Sequence, residues 1–243
     1  MLLDYPEIGP RMLEAAGAYQ AAQPFPHIAL DSFLSPAIVT ALLPHFPPAV
    51  VKAGQEDRSA DMTSGKPAQF RKRWVSREAA VNIALRRLYW ELNSSRFVCL
   101  LEKMTGIENL IPDPYLLGGG VHQTLPGGFL RVHADFNKHP QVQLDRRLNL
   151  LIYFNENWQA EWGGNLELWN KTMDQRVQSI APVAGRCVIF STTSSSFHGH
   201  PEPLECPDDV TRKSIALYYY TNGRPEVEGD SAHDTLWQNL PGE

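Results

Sequence analysis

Two short clusters in the second half of the chain place metal-binding side chains at the spacing of a β-strand. His133-Ala134-Asp135 sets an imidazole and a carboxylate at i and i+2, and in a strand such residues point to one face. They would converge on one point as a two-ligand chelate. Ser196-Phe197-His198-Gly199-His200 repeats the spacing with two imidazoles. On geometry alone, either His198 or His200 can supply a third ligand from another strand. Two histidines and one carboxylate make a facial set that leaves three positions open on an octahedral Fe(II). A His-x-Asp by itself is more often a surface pair than a metal site, so its neighbours decide its meaning.

A third feature is Arg212-Lys213-Ser214, which opens the apolar run Ile215-Ala216-Leu217-Tyr218-Tyr219-Tyr220. A charge at the mouth of a buried strand needs a partner, because burying it unpaired is costly. A carboxylate ligand would supply one through paired, charge-assisted hydrogen bonds. The plainer alternative is a structural salt bridge to an Asp or Glu of the chain. Other groups read as structural. The run Arg71, Lys72 and Arg73 is short and reads as solvated surface. His27 and His45 read as structural, and His122, His139 and His233 lack a second ligand at chelating spacing. Trp158, Trp162 and Trp169 read as packing, and Gly163-Gly164 as a tight turn at a strand entry.

The elements that must position these residues divide the chain. Residues 1 to about 110 read as mostly helical. The pattern predicts helices over Gly9–Gln20, from Ser35-Pro36 to a stop at Pro44, over Arg77–Asn93 and over Ser95–Met104. Ser35 is a good cap and Pro36 fits a first turn. Lys52–Gln69 is polar, rich in small residues, and reads as a mobile loop. After Pro112 the character changes to short β-branched or aromatic runs separated by Gly, Pro and Asn. Strands are predicted over Phe129–Asp135, Leu148–Asn155, Asn165–Trp169, Val177–Ala181, Arg186–Ser191, Ser196–His200 and Lys213–Thr221. Their spacing leaves no room for intervening helices and points to an antiparallel sandwich or barrel of the jelly-roll kind. The expected architecture is mainly β: an N-terminal helical layer (1–110), a jelly-roll core (111–222) and a C-terminal tail (223–243), together one domain. The 243 residues, 43% of them hydrophobic, suffice for one full core.

Composition narrows the function classes. The net charge of −5 gives no basic footprint for nucleic acid. The N-terminus MLLDYPEIGPRMLE lacks the apolar run of a signal peptide or membrane span. Cys99, Cys187 and Cys206 are odd in number and widely spaced, which argues against a disulfide scaffold or zinc site and fits a reduced cytoplasmic compartment.

Over Val121–Thr221 the chain resembles the 2-oxoglutarate/Fe(II) dioxygenases, in particular their prolyl-4-hydroxylase-like branch, whose core is a double-stranded β-helix. The segments that carry the resemblance are GGFLRVHADFN, RRLNLLIYFNENW, WGGNLELW, SFHGH and RKSIALYYYT, in the family's order. The resemblance implies His133, Asp135 and His198 as iron ligands, because the family's distal histidine precedes a glycine in an apolar context. It implies Arg212 as the clamp for the distal carboxylate of 2-oxoglutarate, with Ser214 and Tyr153 assisting. Asn149 would line the pocket, and Gln123 falls where some relatives carry a tyrosine touching the cosubstrate. The segment between His198 and Arg212 is longer than in many relatives, contains Pro201, Pro203 and Pro207, and reads as a surface loop.

The implied reaction consumes O₂ and 2-oxoglutarate, releases succinate and CO₂, and hydroxylates a C–H bond, with ascorbate as an accessory reductant. Related halogenases have Gly or Ala where this chain has Asp135, which favours hydroxylation over halogenation. Desaturation and ring formation share the same chemistry. The first expectation for the substrate is a small molecule, an amino acid or other metabolite; the second is a prolyl or other residue of a protein. Arg71 or Arg73, on a lid formed by Lys52–Arg73, could then grip an acidic substrate group. Two other classes compete. One is a non-catalytic jelly-roll binding module, since fold alone does not imply function. The other is a cupin-type metal protein, whose histidine-rich ligand set is missing here. No residue-level feature sets an oligomeric state.

Overall fold

The structure is a computed structural model that describes residues 1–48, 62–63, 66–225 and 231–242. Its elements in chain order are α1 (Tyr5–Glu14), α2 (Ala16–Ala21), β1 (His27–Leu30), α3 (Pro36–Leu42), β2 (Met62–Thr63), β3 (Lys66–Pro67) and β4 (Gln69–Val75). There follow α4 (Ile83–Leu92), α5 (Ser95–Thr105), β5 (Ile111–Pro112), β6 (Gly120–Ala134), β7 (Asp145–Tyr153) and β8 (Leu166–Trp169). The last are β9 (Arg176–Ile180), β10 (Cys187–Ser191), β11 (His198–His200), β12 (Arg212–Thr221) and β13 (Leu236–Trp237).

The helices begin where the sequence offers a cap. Ser35, Asn82 and Ser94 each accept a backbone N–H of the first turn, from Ile38, Ala84 and Phe97. The cap at Asn82 explains why α4 starts six residues later than the expected Arg77. The helix expected over Gly9–Gln20 is two helices, the first starting at Tyr5 behind the Asp4 cap. Leu85, Leu88, Tyr89 and Leu92 of α4 recur at helical spacing and are buried, as are Phe97, Val98, Leu101 and Met104 of α5.

Eleven strands form one sheet in which every pairing is antiparallel. Its order is β1-β10-β7-β12-β6-β11-β8-β9, with β4 and β13 also on β6 and β5 on β12. Strand alternation sorts the side chains of β7 and β12. Leu148, Leu150, Ile152, Ile215, Leu217 and Tyr219 pack with the helices in one apolar core. The alternate residues Asn149, Leu151, Ser214, Ala216 and Tyr218 face a cavity on the other side. The jelly-roll expectation therefore holds, with helices packed against one sheet face.

Three features differ from the sequence expectation. The first 110 residues are not only helical: β1 adds an edge to the sheet beside β10, and β4 lies along β6. Four residues are too few to show a period, and QFRKRWV hides its strand because two of the three residues it turns to the cavity, Gln69 and Lys72, are polar. Strand β6 starts nine residues before Phe129, where the polar residues His122 and Thr124 are the ones turned to the cavity. The tail is not merely appended, because Leu236 and Trp237 pair with Ala134 and His133. Of the expected loop Lys52–Gln69, residues 52–61, 64 and 65 lie outside the described residues. Residues 62–63 and 66–67 form the β2–β3 pair and Gln69 begins β4. All three cysteines are free, and among the described residues no helix is long and apolar enough to cross a membrane.

Candidate active site

His133 is the penultimate residue of β6 and Asp135 lies just beyond its end, while His198 opens the neighbouring β11 and pairs in register with His133. One nitrogen or oxygen from each of the three lies within 4.8 Å of the others. Asp135 Oδ1 is 3.6 Å from His133 Nε2, and Asp135 Oδ2 is 3.5 Å from His198 Nε2. The two imidazoles are oriented identically. His133 Nδ1 bonds the Arg131 carbonyl at 2.9 Å and His198 Nδ1 bonds the Ser196 carbonyl at 2.9 Å. A carbonyl can only accept, so Nδ1 carries the proton and both Nε2 lone pairs point inward. This is the tautomer a metal ligand needs, fixed by backbone. Burial, with His133 beside it and Asp135 opposing, brings the His198 pKa down to about 4, so this ring is neutral at ordinary pH.

Gly199 makes the arrangement possible. A Cβ there would sit 2.8 Å from the carbonyl oxygens of Arg131 and Leu130. The register between β11 and β6 shifts at this point, with His198 opposite His133 but His200 opposite Leu130. The extra residue on β6 turns both Leu130 and His133 to the cavity.

Asp135 is held from behind. Arg146 Nη2 lies 3.1 Å from its Oδ2 and Asn149 Nδ2 donates to the same oxygen at 2.8 Å. Arg146 also donates through Nε and Nη2 to Asn149 Oδ1, at 3.0 and 2.7 Å, and its guanidinium lies 3.5 Å over the Tyr218 ring. Burial opposes the charge on Asp135, but Arg146 and the two imidazoles outweigh it and hold the carboxyl well below the usual range. The sequence reading did not single out Arg146. The available signal was the one used for Arg212: an arginine opening an apolar strand. Arg146→Met leaves Asp135 without its cation, and the expected loss is about 3–5 kcal/mol. Urea denaturation measures that loss, and metal affinity should fall by about 10–100-fold.

Arg212 is buried at the start of β12 and lines the same cavity as the triad. Its Nε donates to the Gly164 carbonyl at 2.6 Å and its Nη2 to the Tyr153 hydroxyl at 3.3 Å. Among the described residues no carboxylate lies within ion-pair distance of it, so the plainer salt-bridge reading fails there. Gly164 has φ +70°, and a Cβ there would meet Leu204 Cδ2 at 2.5 Å and Arg212 Cδ at 3.1 Å. Leu204 belongs to the 201–211 segment, which is more than a surface loop: its Leu204 and Cys206 are buried. Gly164→Ala should therefore destabilise the fold by about 1–3 kcal/mol. It should also raise the 2-oxoglutarate requirement while metal content stays unchanged, which parallel calorimetry and metal analysis check.

Not every expected residue reaches the cavity. Asn149 and Ser214 line it; Tyr153 sits behind Arg212 with its hydroxyl as the contact. Gln123 points away. Strand alternation brings its neighbours His122 and Thr124 to the cavity, while Gln123 ties the Pro47 carbonyl at 2.7 Å and the Thr211 hydroxyl at 3.1 Å. Arg71 and Arg73 do not line the cavity, whereas Lys72 does. The Arg71-Lys72-Arg73 run is half-buried, not solvated surface. His122, set aside in the sequence, is buried and aimed inward, and His200 lies beside the triad. The tail adds Trp237, whose ring centroid is 4.8 Å from that of His133.

An imidazole–carboxylate–imidazole cluster, inward lone pairs and a buried guanidinium lacking a carboxylate fit an Fe(II) ion chelated by a dicarboxylate. Residues 119–220 match the family model of the 2OG-Fe(II) oxygenase superfamily. The fold is similar to that of a Pseudomonas putida prolyl-4-hydroxylase at 17% identity, with 87% of this chain and 100% of that one covered and a TM-score of 0.53. A Trichoplax adhaerens prolyl hydroxylase, solved with a peptide fragment of the hypoxia inducible factor oxygen degradation domain, is similar at 16% identity, 88% and 89% coverage and TM-score 0.54. HygX from Streptomyces hygroscopicus, solved with nickel, 2-oxoglutarate and hygromycin B, is similar at 11% identity, 86% and 92% coverage and TM-score 0.51. No curated protein matches the sequence. Through residues 119–220, less than half of its length, the protein is similar to the 2OG-Fe(II) oxygenase superfamily, and its fold is that of the prolyl hydroxylase structures. It is an enzyme that uses Fe(II) and 2-oxoglutarate.

Proposed function

We propose that this oxygenase hydroxylates an unactivated C–H bond of a small molecule, an amino acid or related metabolite. His133, Asp135 and His198 hold the iron, and Arg212 holds the far carboxylate of 2-oxoglutarate. The observation that carries the cosubstrate assignment is the buried Arg212, without a carboxylate partner among the described residues, in the triad's own cavity. A guanidinium left so is costly unless a ligand completes it.

The small-molecule reading rests on the cavity's size and walls. Its volume is about 190 Å³, below the span of about 300–1,000 Å³ usual for drug-sized ligands. Two strands outside the jelly-roll core wall it in: β4 contributes Gln69, Lys72 and Trp74, and β13 contributes Trp237.

When bound, Fe(II) and 2-oxoglutarate supply an O₂-dependent oxidation that releases succinate and CO₂. The chain's share is placement. Backbone carbonyls fix the two histidine tautomers, Arg146 and Asn149 fix the carboxylate, and Gly164 and Tyr153 aim Arg212. Ser214 adds a hydroxyl at the same wall. This pre-sets the geometry of the reacting groups.

Adding Fe(II) and 2-oxoglutarate without oxygen should produce a weak visible charge-transfer band in the wild type. Under air, succinate release should rise with a panel of free amino acids and small metabolites and stay at background with proline-containing peptides. Stimulation by the peptides alone would turn the assignment to a peptidyl hydroxylase. A metal-loaded, folded protein without the band would leave a binding module.

A further inference from the structure

The cavity contains more nitrogen than the iron and its cosubstrate can use. Asp135 is matched by Arg146, and in the reading above Arg212 takes the distal carboxylate of 2-oxoglutarate. Lys72 remains. It sits on β4, lines the cavity and has no hydrogen-bond or ion-pair partner among the described residues. The one carboxylate that acts on it, Asp135, is already engaged by both Arg146 and Asn149.

His122 independently points to the same place. It is buried and lines the cavity, and its Nε2 has no hydrogen-bond partner. Its strand neighbour Thr124 pairs with Lys72 across β4 and β6, and His122 itself pairs with Trp74. Lys72 and His122 therefore stand on adjacent strands of one wall, close enough for the ammonium to act on the imidazole. A buried imidazole nitrogen without a partner is rare unless something fills the site. Trp74, 47% exposed on the same wall, offers an apolar face at the rim.

We propose that Lys72 and His122 form a second anion subsite, distinct from the cosubstrate clamp, which receives a carboxylate or phosphate of the primary substrate. This rests on the reading of Arg212 as the clamp for 2-oxoglutarate. The substrate is then a small anionic molecule: its charged group is anchored on the β4 wall and its reacting carbon is directed toward the triad. Lys72 is a specificity residue, since an uncharged analogue would leave the ammonium unpaired in a half-buried site.

The test uses protein loaded with Zn(II), a redox-inert stand-in for iron, and with saturating 2-oxoglutarate. Inorganic phosphate and propionate are titrated by calorimetry. At least one of them should bind the wild type in the millimolar range, and whichever is tighter identifies the anionic group. Lys72→Met should weaken that binding at least tenfold, Lys72→Arg should largely restore it, and 2-oxoglutarate affinity should stay within twofold in both. His122→Phe should weaken the anion without changing metal content. Thermal melting confirms that each variant is folded. No binding of either anion to the wild type, or equal binding to Lys72→Met, overturns the proposal while leaving the clamp intact if Arg212→Met still loses 2-oxoglutarate. A loss of 2-oxoglutarate affinity in Lys72→Met, with none in Arg212→Met, overturns both, because the cosubstrate carboxylate would then sit at Lys72.

Discussion

Replacing Asp135 by alanine should abolish succinate formation, with a loss on the order of a thousandfold or more, since changes one shell further out already cost about 10–100-fold. The triad offers one anionic ligand, and the two imidazoles alone leave the metal's charge uncompensated. The same change removes the partner of a buried arginine. Arg146 is only 1% exposed on its side chain, and breaking such a pair costs about 3–5 kcal/mol. Asp135→Asn separates the two effects, because an amide oxygen still accepts from Arg146. That variant should melt near the wild type yet bind iron weakly and produce no succinate. His198→Ala should match it in metal loss. His200→Ala should keep its metal, because the cluster of converging ligand atoms contains His198 and not His200. Metal content after gel filtration and succinate release measure these outcomes; a fully active Asp135→Asn would remove Asp135 from the metal.

Replacing Arg212 by alanine should weaken 2-oxoglutarate by roughly 100-fold or more, since truncating one partner of a buried charge pair costs about 2–5 kcal/mol. The loss has two parts. The far carboxylate of 2-oxoglutarate would lose the two-pronged partner proposed for it, and the Tyr153 hydroxyl and Gly164 carbonyl lose the donor they share. Arg212→Lys should recover only part of the affinity, because an ammonium cannot reproduce the planar fork held by both groups. Tyr153→Phe should have a smaller effect, acting through the freedom it gives Arg212. Anaerobic titration of the charge-transfer band reads each affinity directly. Unchanged affinity in Arg212→Ala would place the carboxylate elsewhere in the cavity.

The later helices, the strands from Leu148 onward and the order of the core were legible because each has a local signature. Ser94 and Gly106 bracket α5, and Leu148, Leu150 and Ile152 alternate with Asn149 and Tyr153 along β7. The candidate metal-binding trio could be picked out because the i, i+2 spacing of His133 and Asp135 puts both on one face of a strand, and the resemblance then chose His198 over His200. The strands of the first half were hidden. β1 is short, and β4 and the first half of β6 turn the polar residues Gln69, Lys72, His122 and Thr124 to the cavity, which erases the apolar alternation that marks a strand.

By itself the sequence determined the ligand types, their spacing and the arginine that opens the last long strand, because these depend only on neighbours along the chain. The tertiary structure decided what those residues meet. A one-residue shift between β6 and β11 sets the partner of His133. The pleat, at a period of two, turns Gln123 away and His122 in. Arg146 reaches Asp135 across eleven residues, and β4 brings Lys72 to a cavity built some fifty residues later. Such contacts are made through space between strands, so no local pattern along the chain carries them.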